Sequence, residues 1–373
     1  MVKDGAKAPV GHVALSCAVR EALAVSADRG ERVFLVGGIV RDLLMGRGLG
    51  DYDLDLVVEG DGLAFAQALR ERLLCDLRQH PAFLTAKLTG PFCAGPSDGP
   101  LLTEVDVATS RSEEYSSPGA LPTVKPAPIE KDLWRRDFSV NALALPLLDY
   151  SRLRAHEVTP DQVLPDIVDS TGGLEDLRTK TLRVLHPESF VDDPTRLFRA
   201  VRYSVRLGFE FDMVTAGAFM QAVKSGVLGT LSARRIWNEA VTALDEEHVG
   251  RVFEEFSDRG LFSTLPVVRP ERLAELVAAL DRVSAVRDEL DPAVASAALK
   301  LVLLAGLVSE GREDIIVTVH EGSKAAKRAR TVLESLATGQ LPSDLVVLVA
   351  SYAISGAEEL RLALEAALQG GGD

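Results

Sequence analysis

Two aspartates separated by one residue, Asp53 and Asp55, are the side chains in this sequence whose spacing best suits chemistry. They lie in the segment Asp53–Gly60, whose apolar residues predict a β-strand. Because side chains alternate between the faces of a strand, both carboxylates should project from one face, a few ångströms apart. Like charges this close repel each other, and a divalent cation with oxygen ligands would relieve the repulsion. We therefore predict that this acidic pair (Asp53 and Asp55) holds Mg²⁺ in contact with substrate phosphates.

A glycine turn precedes this strand. The apolar run Val33–Val36 predicts a buried strand that ends at Gly37 and Gly38, and a short helix should follow at once. Glycines let the backbone approach a ligand closely, and helix N-termini favour anions. Arg41 and Asp42 lie in the first turn of that helix. Alone, a glycine pair usually marks a simple turn and a spaced aspartate pair a solvated strand edge. In strand–turn–helix–strand order, however, they resemble the active-site half of the polymerase-β-like nucleotidyltransferases.

A third carboxylate, Asp106, lies on the later predicted strand Leu101–Ala108. Alternation places Val105 and Val107 on one face and Asp106 on the other. Asp106 could therefore meet the acidic pair across neighbouring strands. The alternative is an exposed strand carboxylate without a catalytic role.

Two further segments carry clustered arginines. The first includes Arg135, Arg136, Asp137 and Asn141 between apolar residues. Arginine pairs make charge-assisted hydrogen bonds to phosphate, although many are simple surface ion pairs. Here the apolar flanks favour a buried location.

The second arginine segment is Val191–Phe209, in which Asp193 is followed by a proline that favours the start of a helix. Arg196, Arg199 and Arg202 then recur every third residue and line one side of the predicted helix. Such a stripe is usually a solvated face, because helix surfaces are commonly charged.

Together these segments resemble the class II tRNA nucleotidyltransferases and bacterial poly(A) polymerases, which belong to the polymerase-β-like nucleotidyltransferases. The resemblance extends over roughly Val33 to Ala240 and departs from the family pattern at Ser139, usually Thr, and at Asp192, usually Glu. The matching motifs are GGxVRD at Gly37–Asp42, DxDxVVEG at Asp53–Gly60, RRDFTxNAL at Arg135–Leu143 and EDPxRxLRAxRF from Asp192 onward.

The resemblance implies an α/β nucleotidyltransferase head with a mixed sheet (residues 1–180), a helical neck that selects the nucleotide (181–250) and a helical body and tail that bind tRNA (251–373). It implies template-independent addition of C and/or A to the tRNA 3′ end from CTP and ATP, with Mg²⁺ as cofactor and pyrophosphate as product. Alternatives are an A-adding or CC-adding specialist, a poly(A) polymerase, a nucleotidyltransferase acting on a small molecule, and a non-catalytic tRNA-binding protein.

The resemblance also implies roles for individual residues. Asp53, Asp55 and Asp106 would be catalytic, and the first two would hold the metal. The nucleotide-binding residues of the head would be Gly37, Gly38, Arg41, Asp42, Arg135, Arg136, Asp137 and Asn141.

In the neck, Asp193 and Arg196 would read the Watson–Crick edge of the incoming base. A carboxylate accepts from an exocyclic amine and a guanidinium donates to ring acceptors, a polarity that selects C and A. Arg199 and Arg202 would hold the nucleotide or the helix in place.

Two other segments have predicted structural roles. The segment Ser116–Pro128 contains four prolines and predicts an exposed loop, which in the resembled family helps to switch nucleotide specificity. The segment Asp169–Leu177, DSTGGLEDL, predicts a hinge or turn.

Composition sets further bounds. The 373 residues are 47% hydrophobic and 26% charged, which is typical of globular proteins. The net charge of −14 argues weakly against RNA binding, but seven Arg or Lys residues between Arg178 and Arg206 offer a local basic region. No signal peptide or membrane span is apparent. The three cysteines suit a reduced cytoplasm, and the oligomeric state stays open.

Overall fold

The protein is described by a computed structural model that covers residues 11–47, 54–90, 92, 104–154, 160–262, 277 and 281. It divides into two compact units, Met1–His186 and Pro187–Asp373. Asp53 and most of the predicted body and tail lie outside the described residues. The predicted domain boundary at residue 180 falls shortly before this division, and the one at residue 250 falls within a helix.

The first unit alternates short strands with helices, as the sequence pattern predicts for an α/β head. In chain order its elements are α1 (Gly11–Arg29), β1 (Arg32–Val36), α2 (Gly38–Leu44), β2 (Leu54–Glu59), α3 (Gly62–Leu73), β3 (Asp76–His80), β4 (Thr85–Thr89), β5 (Glu104–Thr109), β6 (Arg111–Glu114), β7 (Thr123–Pro126), α4 (Ile129–Trp134), β8 (Ala144–Pro146), α5 (Leu147–Arg154), α6 (Pro160–Val163), α7 (Gly173–Thr179) and β9 (Thr181–Leu182).

Six of these strands form one mixed sheet in the order β3-β4-β5-β2-β1-β8. The pairing of β2 with β5 is parallel, and the pairings of β1 with β2 and β8, and of β4 with β3 and β5, are antiparallel. The predicted mixed-sheet head is therefore confirmed.

The two faces of the sheet differ in what covers them. Alternate residues of β2, β4 and β5, such as Leu56, Leu88 and Val107, lie in a large apolar core with α1, α3 and α5. The opposite face has a smaller cluster in which α4 packs against Phe34 and Val57. Apolar burial stabilises by roughly 25 cal/mol per Å², so the large core fixes which face each side chain takes.

The proline-rich segment is more ordered than expected. Thr123–Pro126 forms β7, which pairs antiparallel with β6 in a two-stranded ribbon outside the main sheet. The prediction of a loop is therefore wrong for these residues, although they are largely exposed as predicted. Proline is compatible with this strand because the ribbon has an unpaired edge, where no ladder donor is needed.

The second unit is helical in its described part. Apart from the short strand β10 (Glu210–Phe211), its elements are α8 (Ser189–Asp192), α9 (Thr195–Leu207), α10 (Met213–Ser225), α11 (Ala233–Ala243) and α12 (Val249–Asp258). Aromatic contacts hold it together; for example, the rings of Phe198 and Phe256 meet edge to face at 5.3 Å. None of the described helices is long and apolar enough to cross a membrane.

The cysteines depart from expectation. Cys75 is a free, half-buried thiol whose pKa is raised by burial. Cys17 is disulfide-bonded, so the prediction that the cysteines are reduced is wrong for this residue.

The DSTGGLEDL segment forms a turn, one of the two alternatives predicted for it. The Asp169 carboxylate accepts four backbone N–H bonds at the start of α7, from Thr171, Gly172, Gly173 and Leu174. The left-handed Gly172 (φ 81°) closes the turn.

Two contacts connect α7 to the 3₁₀ turn Ser139–Asn141, which carries part of the arginine motif. The buried Asp176 accepts hydrogen bonds from the Ser139 hydroxyl and from Arg183. The Cα of Gly173 lies so close to Ser139 that an added β-carbon would collide with the Ser139 carbonyl oxygen.

We predict that Gly173→Ala lowers the free energy of unfolding of the head by about 2 kcal/mol or more, because the new methyl group must displace the turn backbone. Urea denaturation followed by circular dichroism measures the change. Gly172→Asn is the matched control, since its β-carbon meets no atom within 4 Å and asparagine tolerates the left-handed conformation. Equal losses in both variants would contradict this account.

Candidate active site

The parallel pairing of β2 with β5 places two predicted catalytic carboxylates side by side. Asp55 and Asp106 are direct Cα partners in the register. Leu54 and Leu56 are buried on either side of the exposed Asp55, so its side chain lies on the face away from the large core. Asp106 is half-buried on the same face. The predicted meeting of these strands is confirmed for Asp55, while Asp53 lies outside the described residues.

The donor set suits a hard cation. Two carboxylates on adjacent strands offer the oxygen ligands that Mg²⁺ prefers, with room for water and phosphate oxygens. Within the described ranges no three acidic, histidine or cysteine side chains are grouped to hold a metal. The carboxylates that are described would thus supply only part of a coordination shell.

A lysine that sequence reasoning missed lies beside these carboxylates. Lys87 on β4 is the register partner of Asp106. Its Nζ lies 2.6 Å from Glu104 Oε2 and 3.4 Å from Asp106 Oδ2. The hydrogen bond to Glu104 raises the pKa of Lys87, so the ammonium group stays charged at neutral pH. Alternation within β4 indicated the face that Lys87 occupies, but not its neighbour across the sheet.

The glycine turn and the arginine motif meet at Arg136. Gly37 adopts a positive φ of 76°, and a β-carbon there would lie 3.6 Å from Arg136 Nη1. Arg136 Nη2 donates to Asp132 at 2.8 Å, whereas its buried Nε has no hydrogen-bond partner among the described residues. Since buried N–H groups are rarely left unpaired, this donor marks a place for an anionic ligand.

Arg41, one of the predicted nucleotide-binding residues, forms hydrogen bonds within the head. It is 2% exposed and forms two hydrogen bonds of 2.8 Å to Asp42. Its Nη1 also donates to Asn141 Oδ1 at 2.6 Å, and Asn141 in turn donates to Asp137 at 3.1 Å. The structure thus joins these four residues in one buried network between α2 and the Ser139–Asn141 turn, an arrangement that favours a positioning role.

Asp132, which sequence reasoning did not select, is the centre of the arginine motif. This fully buried residue accepts 2.8 Å bonds from both Arg135 and Arg136, and it accepts the backbone N–H of Arg111. Burial alone would raise the pKa of Asp132, but the guanidinium groups of Arg136 and Arg135 outweigh it and hold the pKa below its usual range. A carboxylate three and four residues before an arginine pair was the available signal.

Arg135 connects this centre to the ribbon. Its Nη1 donates to Glu113 on β6 at 2.9 Å, and Glu113 also accepts from Arg111 and from the Tyr115 hydroxyl. Burial would lower the pKa of Arg135, but Asp132 and Glu113 reverse the effect and raise it. Arg135, one of the residues that the resemblance implies for nucleotide binding, is therefore fixed between α4 and the ribbon.

In the second unit, the predicted base-reading pair lies at the start of α9. Asp193 accepts from the Thr195 backbone N–H and hydroxyl and forms a 2.7 Å ion pair with Arg235. Arg196 is buried and donates to the Ser189 hydroxyl at 2.7 Å. Both side chains are thus held by neighbouring residues.

The arginine stripe of α9 is not a solvated face. Arg202 is 4% exposed and binds Glu246 at 3.0 Å and Glu239 at 3.3 Å. Burial raises the pKa of Glu239 despite the nearby arginines. Arg199 donates to the Tyr203 hydroxyl. Of the two roles considered for Arg202, holding the helix in place is the one that these contacts favour.

We predict that Asp132→Asn lowers the free energy of unfolding by about 3 kcal/mol at pH 7, since it leaves two partly buried guanidinium groups without their shared carboxylate. The folded-state pKa of Asp132 is lowered, so its contribution is present above the unfolded value near 4 and is lost as pH falls through the folded value. Urea denaturation should show equal differences at pH 7 and pH 5 and a smaller one at pH 3.

The control for this variant is Glu114→Gln. Glu114 pairs with Lys125 on the exposed face of the ribbon, and such pairs contribute less than about 1 kcal/mol. A pH-independent loss in Asp132→Asn, or a loss no larger than in the control, would refute the role of Asp132.

The chain is similar in sequence and structure to known proteins. A family profile described as the poly(A) polymerase head domain matches residues 33–183, which include the sheet and the arginine motif. An A-adding tRNA nucleotidyltransferase of Geobacter sulfurreducens is 42% identical over 229 residues, covering 61% of this chain and 23% of that protein. The chain thus spans under a quarter of the length of this relative.

Two other matches extend further along the chain. A CC-adding tRNA nucleotidyltransferase of Deinococcus radiodurans is 31% identical over 330 residues, covering 88% of this chain and 73% of that protein. A crystal structure of a tRNA nucleotidyltransferase complexed with a primer tRNA and an incoming ATP analog superposes with a TM-score of 0.62 at 25% identity, covering 92% of this chain and 94% of that one. The chain therefore belongs to the family of tRNA nucleotidyltransferases and poly(A) polymerases.

Proposed function

We propose that the chain is a template-independent nucleotidyltransferase that adds C, A or both to the 3′ end of tRNA from CTP or ATP and releases pyrophosphate. The observation that carries this proposal is the side-by-side placement of Asp55 and Asp106 on the exposed part of a family head. The relatives named for this activity support the substrate class. Action on tRNA would place the chain in the cytoplasm.

The residues of the head fit a metal-assisted phosphoryl transfer. Asp55 and Asp106, together with Asp53, would hold Mg²⁺, which when bound lowers the pKa of the attacking hydroxyl and neutralises charge on the triphosphate. Asp55 and Asp106 orient their oxygens from neighbouring strands, so the rigidity of the sheet sets their spacing. No movement of the backbone is needed to bring them together.

Arg136 is the best-placed phosphate donor of the described head residues. Its Nε is buried without a partner, and its Nη1 lies beside the glycine turn, where the lack of a β-carbon leaves space. An incoming triphosphate would satisfy this donor with a charge-assisted hydrogen bond. Asp132 and Arg135 fix the guanidinium plane, and Gly37 and Gly38 admit the ligand.

Asp193 and Arg196 are the proposed base readers. A carboxylate that accepts from an amine, next to a guanidinium that donates to a ring acceptor, matches cytosine and adenine but not uracil or guanine. Asp193 is already fixed by Thr195 and Arg235, which reduces the conformational freedom lost on binding a base. Asp192 stands where the family usually has the longer Glu. The choice between incoming bases is therefore the property that this difference is most able to alter.

Two specialised activities stay open. The Geobacter relative, at 42% identity, is named as A-adding, whereas the Deinococcus relative, aligned over more of the chain, is named as CC-adding. Incubation with tRNAs lacking CCA, CA or only the final A, each with single labelled nucleotides, distinguishes them. Label from ATP on the last acceptor alone indicates A addition, and label from CTP on the first two alone indicates CC addition. Label on all three indicates CCA addition, and no label on any with Mg²⁺ present refutes the proposal.

The role of Asp55 has its own test. Asp55→Ala should abolish nucleotide incorporation while tRNA binding, measured by filter retention, persists, because the change removes a cation ligand on an exposed part of the sheet. Asp76→Ala is the matched control, since Asp76 is an exposed aspartate on β3 of the same sheet. Turnover by Asp55→Ala would remove the metal assignment.

We also predict that Asp193→Ala lowers the preference for CTP and ATP over UTP and GTP by about tenfold or more, since a well-placed bidentate contact contributes roughly 1–3 kcal/mol of discrimination. Single-nucleotide incorporation rates give the ratio. Glu210→Gln, on an exposed residue of the same unit, should leave the ratio unchanged. An unchanged ratio in Asp193→Ala would assign base selection to other residues.

A further inference from the structure

We propose that Lys87 is a positioning residue of the head: its ammonium group offsets the repulsion between the Asp55 and Asp106 carboxylates in the metal-free protein and thereby weakens their affinity for a divalent cation. This inference rests on the proposed function only in assuming that these carboxylates bind such a cation. It gives a role to a partly exposed ion-pair group that the reaction itself does not use.

The sheet register places the three groups in one row. Asp55 on β2 is the partner of Asp106 on β5, and Asp106 is the partner of Lys87 on β4. Partnered residues on neighbouring strands project from the same face, and strands lie about 4.8 Å apart. On the face opposite the large core, the row therefore consists of two negative charges followed by one positive charge.

Burial confirms this orientation. Ala86 and Leu88, the neighbours of Lys87 on β4, are 2% and 0% exposed in the large core. Lys87 must therefore take the other face, where its side chain is 37% exposed. Partial burial weakens solvent screening, so the charge of Lys87 acts on the carboxylates more strongly than a fully solvated lysine would.

Glu104 determines how closely Lys87 approaches Asp106. The ammonium group lies 2.6 Å from Glu104 Oε2, within direct hydrogen-bond distance, but 3.4 Å from Asp106 Oδ2. Lys87 is thus hydrogen-bonded to Glu104, and its contact with Asp106 is a longer ion pair. A divalent cation can then bind Asp106 without first displacing Lys87, although it does so against the repulsion of a fixed positive charge.

The electrostatic consequence has a definite sign. Removing a unit charge several ångströms from a divalent ion should strengthen cation binding by about three- to tenfold, given the screening at a half-exposed position. The same removal leaves the Asp55–Asp106 repulsion without its offset, which destabilises the metal-free head. A lysine with only a structural role would lower stability and leave cation affinity unchanged or weaker.

The test compares Lys87→Met with Lys87→Arg in the full chain without nucleotide or tRNA. Binding of Mn²⁺ is measured from the loss of the free-ion electron paramagnetic resonance signal. Melting temperature is measured with and without Mg²⁺. We expect Lys87→Met to bind Mn²⁺ three- to tenfold more tightly, to melt at a lower temperature without metal, and to gain more from Mg²⁺ than the wild type. Lys87→Arg keeps the charge and should retain wild-type affinity.

Two controls make the outcome specific. Lys125→Met removes a lysine from an exposed ion pair on the ribbon and should change neither quantity. In an Asp55→Ala background, Mn²⁺ binding should be lost with or without Lys87→Met, because one of the carboxylates proposed to hold the ion is gone, and this assigns the measured binding to this site. Unchanged or weaker Mn²⁺ binding in Lys87→Met, or no cation effect in any variant, overturns the inference. Failure of the wild type to incorporate nucleotides would instead overturn the proposed function, and the Mn²⁺-binding measurement would remain valid.

Discussion

The parallel pairing of β2 with β5 is the constraint on which the rest of the head depends. It places Asp55 next to Asp106 on the exposed face, an arrangement that the large apolar core beneath β2 and β5 makes possible. A register shift of one residue in either strand would send the carboxylate of that strand into the core, where burying an unpaired charge is costly in free energy. The core therefore holds the Asp55 and Asp106 carboxylates close together, so nearby charged groups have to compensate for their electrostatic repulsion.

Buried arginines form the second organising principle. Each is matched by carboxylates: Arg41 by Asp42, Arg135 by Asp132 and Glu113, and Arg202 by Glu246. Because removing one partner leaves an uncompensated charge, such networks fix the positions of the side chains more than they stabilise the fold. Arg136 differs in keeping one buried donor without a partner in the described part of the chain. That difference distinguishes Arg136, the proposed phosphate donor, from its ion-paired neighbours.

The same matching bears on how an acidic chain could bind the polyanionic substrate that we propose for it. Several arginines of the basic region between residues 178 and 206 are bound within the protein, including Arg183 by Asp176 and Arg206 by Glu246. Their charge is therefore partly neutralised, and the count of basic residues overstates the field available to RNA. Specific contacts, rather than a general positive potential, fit the net charge of −14.

The sequence by itself predicted the mixed-sheet head, the helical second unit and the family, because the motifs that carry the family resemblance are local runs of residues that can be read without the fold. It could not show that Asp132 joins two arginines, that Asp169 caps α7, or that Lys87 faces Asp106. Nor could it separate a solvated arginine stripe on α9 from one buried against Glu239 and Glu246. Only the tertiary structure decided these. Asp132 and Asp169 bond to residues a few positions away, but the local backbone and burial that allow those bonds, like the partners of Lys87 and of the α9 arginines, are set by packing of the whole unit.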